Sequence, residues 1–208
     1  MNINVTSGSS NKVDGIAVAK SFSPLHVGPV VDSDGFLFKT VEGYWQGNKV
    51  YQELGHLDGE GKTTQAWEAF RREQAALSKG VRHPACLRTE EVLSIDHRGR
   101  NQYKYLTLVC AKYDGEMLGY IESRKKAYAP QYYRVVTQMA AFRALKARIN
   151  AGQSVMLLDF DGPREAPQGC EVTADYLKAK INDPSVPFGH GYVLAGALLG
   201  IDPGMYTQ

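Results

Sequence analysis

The clearest periodicity along the chain is in "TTQAWEAFRREQAALSKG", residues 63–80. There Trp67, Phe70, Gln74 and Leu77 recur on one side of a helix, and Gly80 marks its end. "PQYYRVVTQMAAFRALKARINAG" (130–152) predicts one long helix begun by Pro130 and stopped by Gly152, with "EMLGYIESRKKAY" (116–128) as a further helix before it. "HVGPVVDSDGFLFKT" (26–40) alternates as two strands turning at Asp34-Gly35. Ahead of it, "VTSGSSNKVDG" reads as a loose start and "IAVAKSF" as a short strand. Thr40 predicts the cap of a helix over 41–54, followed by a glycine-rich loop, "LGHLDGEGKT". Residues 81–115 fit no single pattern, although Tyr105 to Cys110 alternates like a strand. "SVMLLDFDGP" (154–163) predicts a buried strand ending in acids, and "DPSVPFGHGYVLAGALLGI" (183–201) a turn feeding an apolar helix. The expected class is α+β and helix-rich, one domain over 1–208, with a short N-terminal hairpin and residues 1–12 loose.

Composition adds little to that picture. With 208 residues, 43% apolar and 22% charged, the chain can bury a good core without staples. No apolar run approaches the roughly 20 residues of a membrane helix, and "MNINVTSGSSNK" lacks the pattern of a signal peptide. Cys86, Cys110 and Cys170 form no CxxC pair, and the five histidines show no HxxxH spacing. A cytoplasmic protein without metal, cofactor or membrane contact is the expectation. Charge is more informative. Residues 62–148 carry 17 Lys/Arg against 8 Asp/Glu, a local +9, whereas the flanks sum to −7. A basic middle between acidic ends suits an anionic partner held near acidic chemistry, though solvated helix surfaces carry such cations routinely.

The stretch that stands out is "TVEGYWQGNK", 40–49. On a helix, Glu42, Trp45, Gln46 and Lys49 fall at i, i+3, i+4 and i+7 and share one face. A core stripe would be apolar and a solvated one has no use for an indole. Gly43 and Gly47 each cost about 1 kcal/mol relative to alanine inside a helix. A ligand or a neighbouring helix pressing on the backbone would account for both.

Two other motifs fail on spacing. "GHLDGEGKTT" invites a phosphate-loop reading, but the first glycine should be residue 56, which is His56, and a helix precedes it instead of a strand. "VMLLDFDGP" resembles the first motif of haloacid-dehalogenase-type phosphatases, in which the first Asp attacks phosphorus. Only 46 residues follow Gly162, too few for that fold's later elements. Asp159 and Asp161 either cap a loop or face the same site as Glu42.

Read outward from the opening stretch, "SFSP…DGFLFKTVEGYWQGNKVY" resembles the start of the NADAR family, also called YbiA-like. Phe22-Ser23 matches its Phe-Ser, Asp34-Gly35 its hairpin turn, and Thr40, Val41, Glu42, Tyr44, Gln46 and Lys49 its helix motif in order and spacing. Gly43 stands where the family has His, Trp45 for Phe, Gly47 for Ala, and Pro24-Leu25 for Asn-Phe. "MLLDFDGP" and "GHGYVLAGALLG" follow the family's C-terminal order, with His190 nearest to its Asn. The resemblance covers about thirty residues closely and implies a divergent member of YbiA-like fold. It implies an N-glycosidase acting on an ADP-ribose conjugate, an ADP-ribosylated guanine or another nucleotide-derived substrate, free or in modified nucleic acid. Phe22, Ser23, Trp45, Gln46, Lys49 and His190 are then expected to bind substrate, and Glu42, Asp159 and Asp161 to be catalytic.

The chemistry is compatible with these residue types. Cleaving a ribose–nitrogen bond builds positive charge near the anomeric carbon, which a carboxylate stabilises while orienting water. Glu42 in a first helical turn is favoured in its ionised form by about 0.3–1 kcal/mol. Trp45 offers a face for a ring, at roughly 1–3 kcal/mol per stacked base. Gln46 can read hydroxyls, and Lys49 can meet a phosphate. The rival expectation is a module of the same fold that binds an ADP-ribose-like ligand without cutting it.

Overall fold

A computed structural model describes residues 1–6, 12–13, 15–79, 106–163, 166 and 168–208. The sequence expectations for Cys86, Gly80 and the stretch 81–105 lie outside the described residues. The order of elements begins with β1 (Asn2–Asn4), β2 (Lys12–Val13), β3 (Ile16–Ala17) and α1 (Val18–Phe22). "IAVAKSF" is thus mostly helix, not strand. The hairpin forms as expected, with β4 (Val30–Val31) antiparallel to β5 (Leu37–Phe38) and the Asp32 carboxylate accepting the amides of Asp34 and Phe36 in the turn.

The capped helix α2 spans Val41–Gly47, and Thr40 Oγ1 accepts the Gly43 amide at 2.9 Å. It ends at Gly47, two residues before Lys49, so the expected continuation to Leu54 is wrong. Asn48 closes it: its Nδ2 donates to the Tyr44 carbonyl, while its own carbonyl accepts from Lys112 in the neighbouring strand. From there β6 (Lys49–Tyr51) pairs antiparallel with β7 (Leu108–Tyr113), which pairs in turn with β8 (Glu116–Leu118). Val50 and Tyr51, both fully buried, suit a pleated sheet better than a helix.

Between β6 and β7 lies α3 (Gln65–Ala76), with Trp67, Phe70 and Gln74 buried as their spacing predicts. Its contact with α2 explains the two glycines. A Cβ on Gly43 would sit 2.8 Å from the Gln74 carbonyl oxygen, and one on Gly47 would sit 3.0 Å from the Gln74 Cβ. The glycines serve helix packing, not a ligand. Gly43→Ala is therefore expected to destabilise. Overpacking costs about 1–3 kcal/mol, more than the roughly 1 kcal/mol that alanine gains as a helix former. A lower urea midpoint at unchanged slope is the expected result.

The glycine-rich loop is closed by its own side chains. Asp58 Oδ1 accepts the amides of Glu60 and Lys62, which a phosphate would otherwise claim. His56 is buried, accepting the Tyr51 amide on Nδ1, and burial lowers its pKa below the ordinary 6.5. The unfolded chain therefore takes up that proton first, so this stability is intact above about pH 6.5 and falls as pH drops toward the lower folded value. Chemical denaturation at pH 7 and pH 5 is expected to show the loss, and His56→Asn to flatten it.

The second half is helical. Tyr120–Ser123 (α4) runs through a wide π turn, Arg124–Tyr128, into α5 (Ala129–Val136). "EMLGYIESRKKAY" is thus a strand followed by a helix start. The long helix expected from Pro130 to Gly152 breaks at residues 137–139, where Thr137 Oγ1 bonds back to the Tyr133 carbonyl, and resumes as α6 (Ala140–Asn150). The short strand β9 (Met156–Leu158) pairs parallel with β1 and is half-buried, not buried. Helix α7 (Ala174–Asn182) precedes α8 (His190–Leu199), whose residues are buried nearly all round against α5, α6, α7 and β9. The result is an α+β, helix-rich fold. Among the described residues no helix is long and apolar enough to cross a membrane.

Candidate functional site

Glu42, Gln46 and Lys49 are 6%, 3% and 4% exposed, so all three are enclosed. Gln46 Nε2 donates to Glu42 Oε1 at 2.7 Å. The Gln46 Oε1 is buried and meets no hydrogen-bond partner among the described residues. Lys49 lies on β6, not on the helix, yet stays near the indole, with Nζ 6.0 Å from the Trp45 ring centroid. Trp45 is half-buried and joins a wall of tyrosines instead of standing alone. Its ring is stacked with Tyr113 at 6.2 Å and tilted against Tyr128 at 5.1 Å and Tyr120 at 6.4 Å. The Tyr113 hydroxyl donates to the Trp45 carbonyl, fixing β7 against α2.

The strand end of β9 meets the start of α8. Asp159 Oδ2 accepts the Gly191 amide at 3.0 Å and lies 3.3 Å from His190 Nδ1. The other ring nitrogen, Nε2, is 3.1 Å from the Val5 carbonyl. Fully enclosed between them, His190 positions Asp159 and has no free edge for a substrate, contrary to the binding role expected of it. The glycines of "GHG" follow from the same contact: a Cβ on Gly189 would lie 2.7 Å from the Asp161 Cβ, and one on Gly191 2.8 Å from Asp159 Oδ2.

Phe22 and Ser23 are also not where a ligand could touch them. Both are fully buried. The Phe22 carbonyl accepts the Tyr132 hydroxyl, and the Ser23 carbonyl accepts the amides of His26 and Val27. That turn supplies Pro24 and Val27 carbonyls to the amides of Glu42 and Val41. Phe22 and Ser23 therefore seat the start of α2.

What joins the two halves is Tyr128, which the sequence reading does not single out. Burial pushes its hydroxyl well above the ordinary range, and the charges of Glu42, the neighbouring Tyr132, Asp159 and Asp161 add to the effect. Three carboxylates from segments over a hundred residues apart thus bear on one buried, neutral phenol. It sits in the π turn, a distortion frequent at functional sites. Arg124 in the same turn donates to the Asp183 and Val186 carbonyls and the Tyr120 hydroxyl, tying the turn to the loop before α8. A signal was present: Tyr120, Tyr128 and Tyr132 repeat at multiples of four through "YIESRKKAYAPQYY".

The basic middle of the chain is partly internal. Arg71 pairs with Asp32 inside the protein, Arg124 is buried, and Lys112 Nζ donates to Thr63. A pocket of about 670 Å³ is lined by Asp159, by β9, α7 and α8, and by described residues of the loop that follows β9. No protein-family model, curated protein or solved structure matches this chain.

Proposed function

We propose that the protein is an N-glycosidase that hydrolyses a ribose–nitrogen bond in a nucleotide- or ADP-ribose-derived substrate, free or carried on a modified nucleobase. The observation that carries this reading is the buried Glu42–Gln46 pair on the same helix face as Trp45, whose indole packs against Tyr128 at 5.1 Å. In the reaction the bond from the anomeric carbon to nitrogen breaks and its electron pair leaves with the base. Water adds to the sugar cation, and its proton passes to a carboxylate or to the departing nitrogen. Glu42 is the residue assigned to the cation and the water. The orphaned Gln46 Oε1 is an acceptor suited to a ribose hydroxyl. The likeness of "TVEGYWQGNK" to the NADAR motif supports the same class.

One observation favours the second reading, a module that binds without cutting. Asp159 is already committed to the Gly191 amide and His190, and Glu42 to Gln46. The test is incubation with ADP-ribosylated guanosine, with ADP-ribose conjugates and with modified-base DNA, followed by chromatography for free base. Release of base supports the glycosidase. Binding without release supports the module, and neither binding nor release removes both.

A further inference from the structure

We infer that the pocket beside Asp159 holds a flat apolar ring that bears no negative charge, as the base end of the N-glycoside. This inference rests on the function proposed above. The walls come from Leu157 on β9, Tyr176 on α7, and Tyr192, Ala195 and Leu198 on α8. At about 670 Å³ the volume falls within the range of small-molecule sites. The Tyr176 and Tyr192 rings, 6.2 Å apart, stand on two of those walls.

Charge along the described lining narrows the class of ligand. Among the described residues that line the pocket, the charged ones are Asp159 and Glu171, both acids. A phosphate would meet two carboxylates and apolar carbon, whereas a neutral or cationic ring is accepted. Asp159 and Gly191 both line the pocket, and the Asp159 carboxylate is held there by the Gly191 amide and His190. On the function proposed above, the base of the substrate enters the pocket on the Asp159 side, with its phosphates kept outside.

The experiment uses one ring in three charge states: N-methylquinolinium, quinoline and quinoline carboxylate. Cys170 is exposed and lines the pocket, so its alkylation rate, resolved by peptide mass mapping, reports occupancy. The cation is expected to protect Cys170 at concentrations about tenfold below the carboxylate. Ala195→Phe, which fills the pocket, is expected to abolish protection, and Leu157→Phe serves if the first variant does not fold. Equal protection by cation and anion, or protection that survives both fillings, overturns the assignment. The two proposals separate cleanly. Protection by the cation without cleavage of any N-glycoside keeps the ring site and removes the hydrolysis. Cleavage with KM unchanged in the filled variants keeps the hydrolysis and removes the ring site.

Discussion

Glu42→Gln is expected to lower turnover on the cleaved N-glycoside by about 10²–10⁴-fold, the usual loss when a well-placed acid–base group is removed. The substitution keeps size and leaves an oxygen to accept the Gln46 amide that now reaches Glu42 Oε1 at 2.7 Å. What disappears is the negative charge facing the sugar cation. Affinity for the intact substrate should hold or improve, because its anionic phosphates no longer face that carboxylate. Trp45→Ala should differ in kind, weakening binding along with turnover, since the indole is a half-buried member of the aromatic wall. Steady-state kinetics and direct binding for both variants check the pair. Equal, modest losses in both would mean that this face is packing.

The second large effect lies in the seat of α2. Arg71 and Asp32 form an ion pair with side chains 9% and 4% exposed, and Arg71 Nε also donates to Asn48 Oδ1, the residue that ends α2. The guanidinium rests over the rings of Phe36, Phe38 and Trp67. Asp32→Asn preserves the turn's acceptor but strands the cation. Breaking one side of a buried pair costs about 3–5 kcal/mol, which for a chain of this size lowers Tm by roughly 6–20 °C. Adding Arg71→Met should recover part of the loss, since apolar replacement of a whole buried pair is often tolerated. A double-mutant cycle by thermal unfolding reads the coupling directly.

Much of the fold was legible because its signals are local. Thr40 as a cap, Asp34-Gly35 as a turn, and the Trp67–Phe70–Gln74 face each depend on a few adjacent residues. The misreadings occur where tertiary partners override local pattern. Lys49 keeps helical spacing from Glu42, yet β7 offers its backbone a strand partner, and Asn48 supplies the stop. The break at residues 137–139 carries no glycine or proline to announce it. Helix α7 has its cap in Thr173 and only Leu177 and Ile181 buried, a periodicity too short to stand out. At the candidate site, residue types pointed to Glu42, Asp159 and Asp161, but not to which groups are enclosed. Burial of Phe22, Ser23 and His190 depends on Tyr132, Val27 and Val5, none of which a motif contains.

The parallel pairing of β1 with β9 has a consequence for how the protein is made. Asp159 is held by His190 and Gly191, and His190 is held by the Val5 carbonyl, a bond spanning 185 positions of sequence. No nascent chain shorter than residue 191 can hold that acid in place. Contacts of such separation form late, after the loop they close has been ordered. During synthesis, residues 2–5 and the β9 edge must wait without their lock until α8 has been made. A chain cut before residue 190 is therefore expected to leave Asp159 without either of these partners.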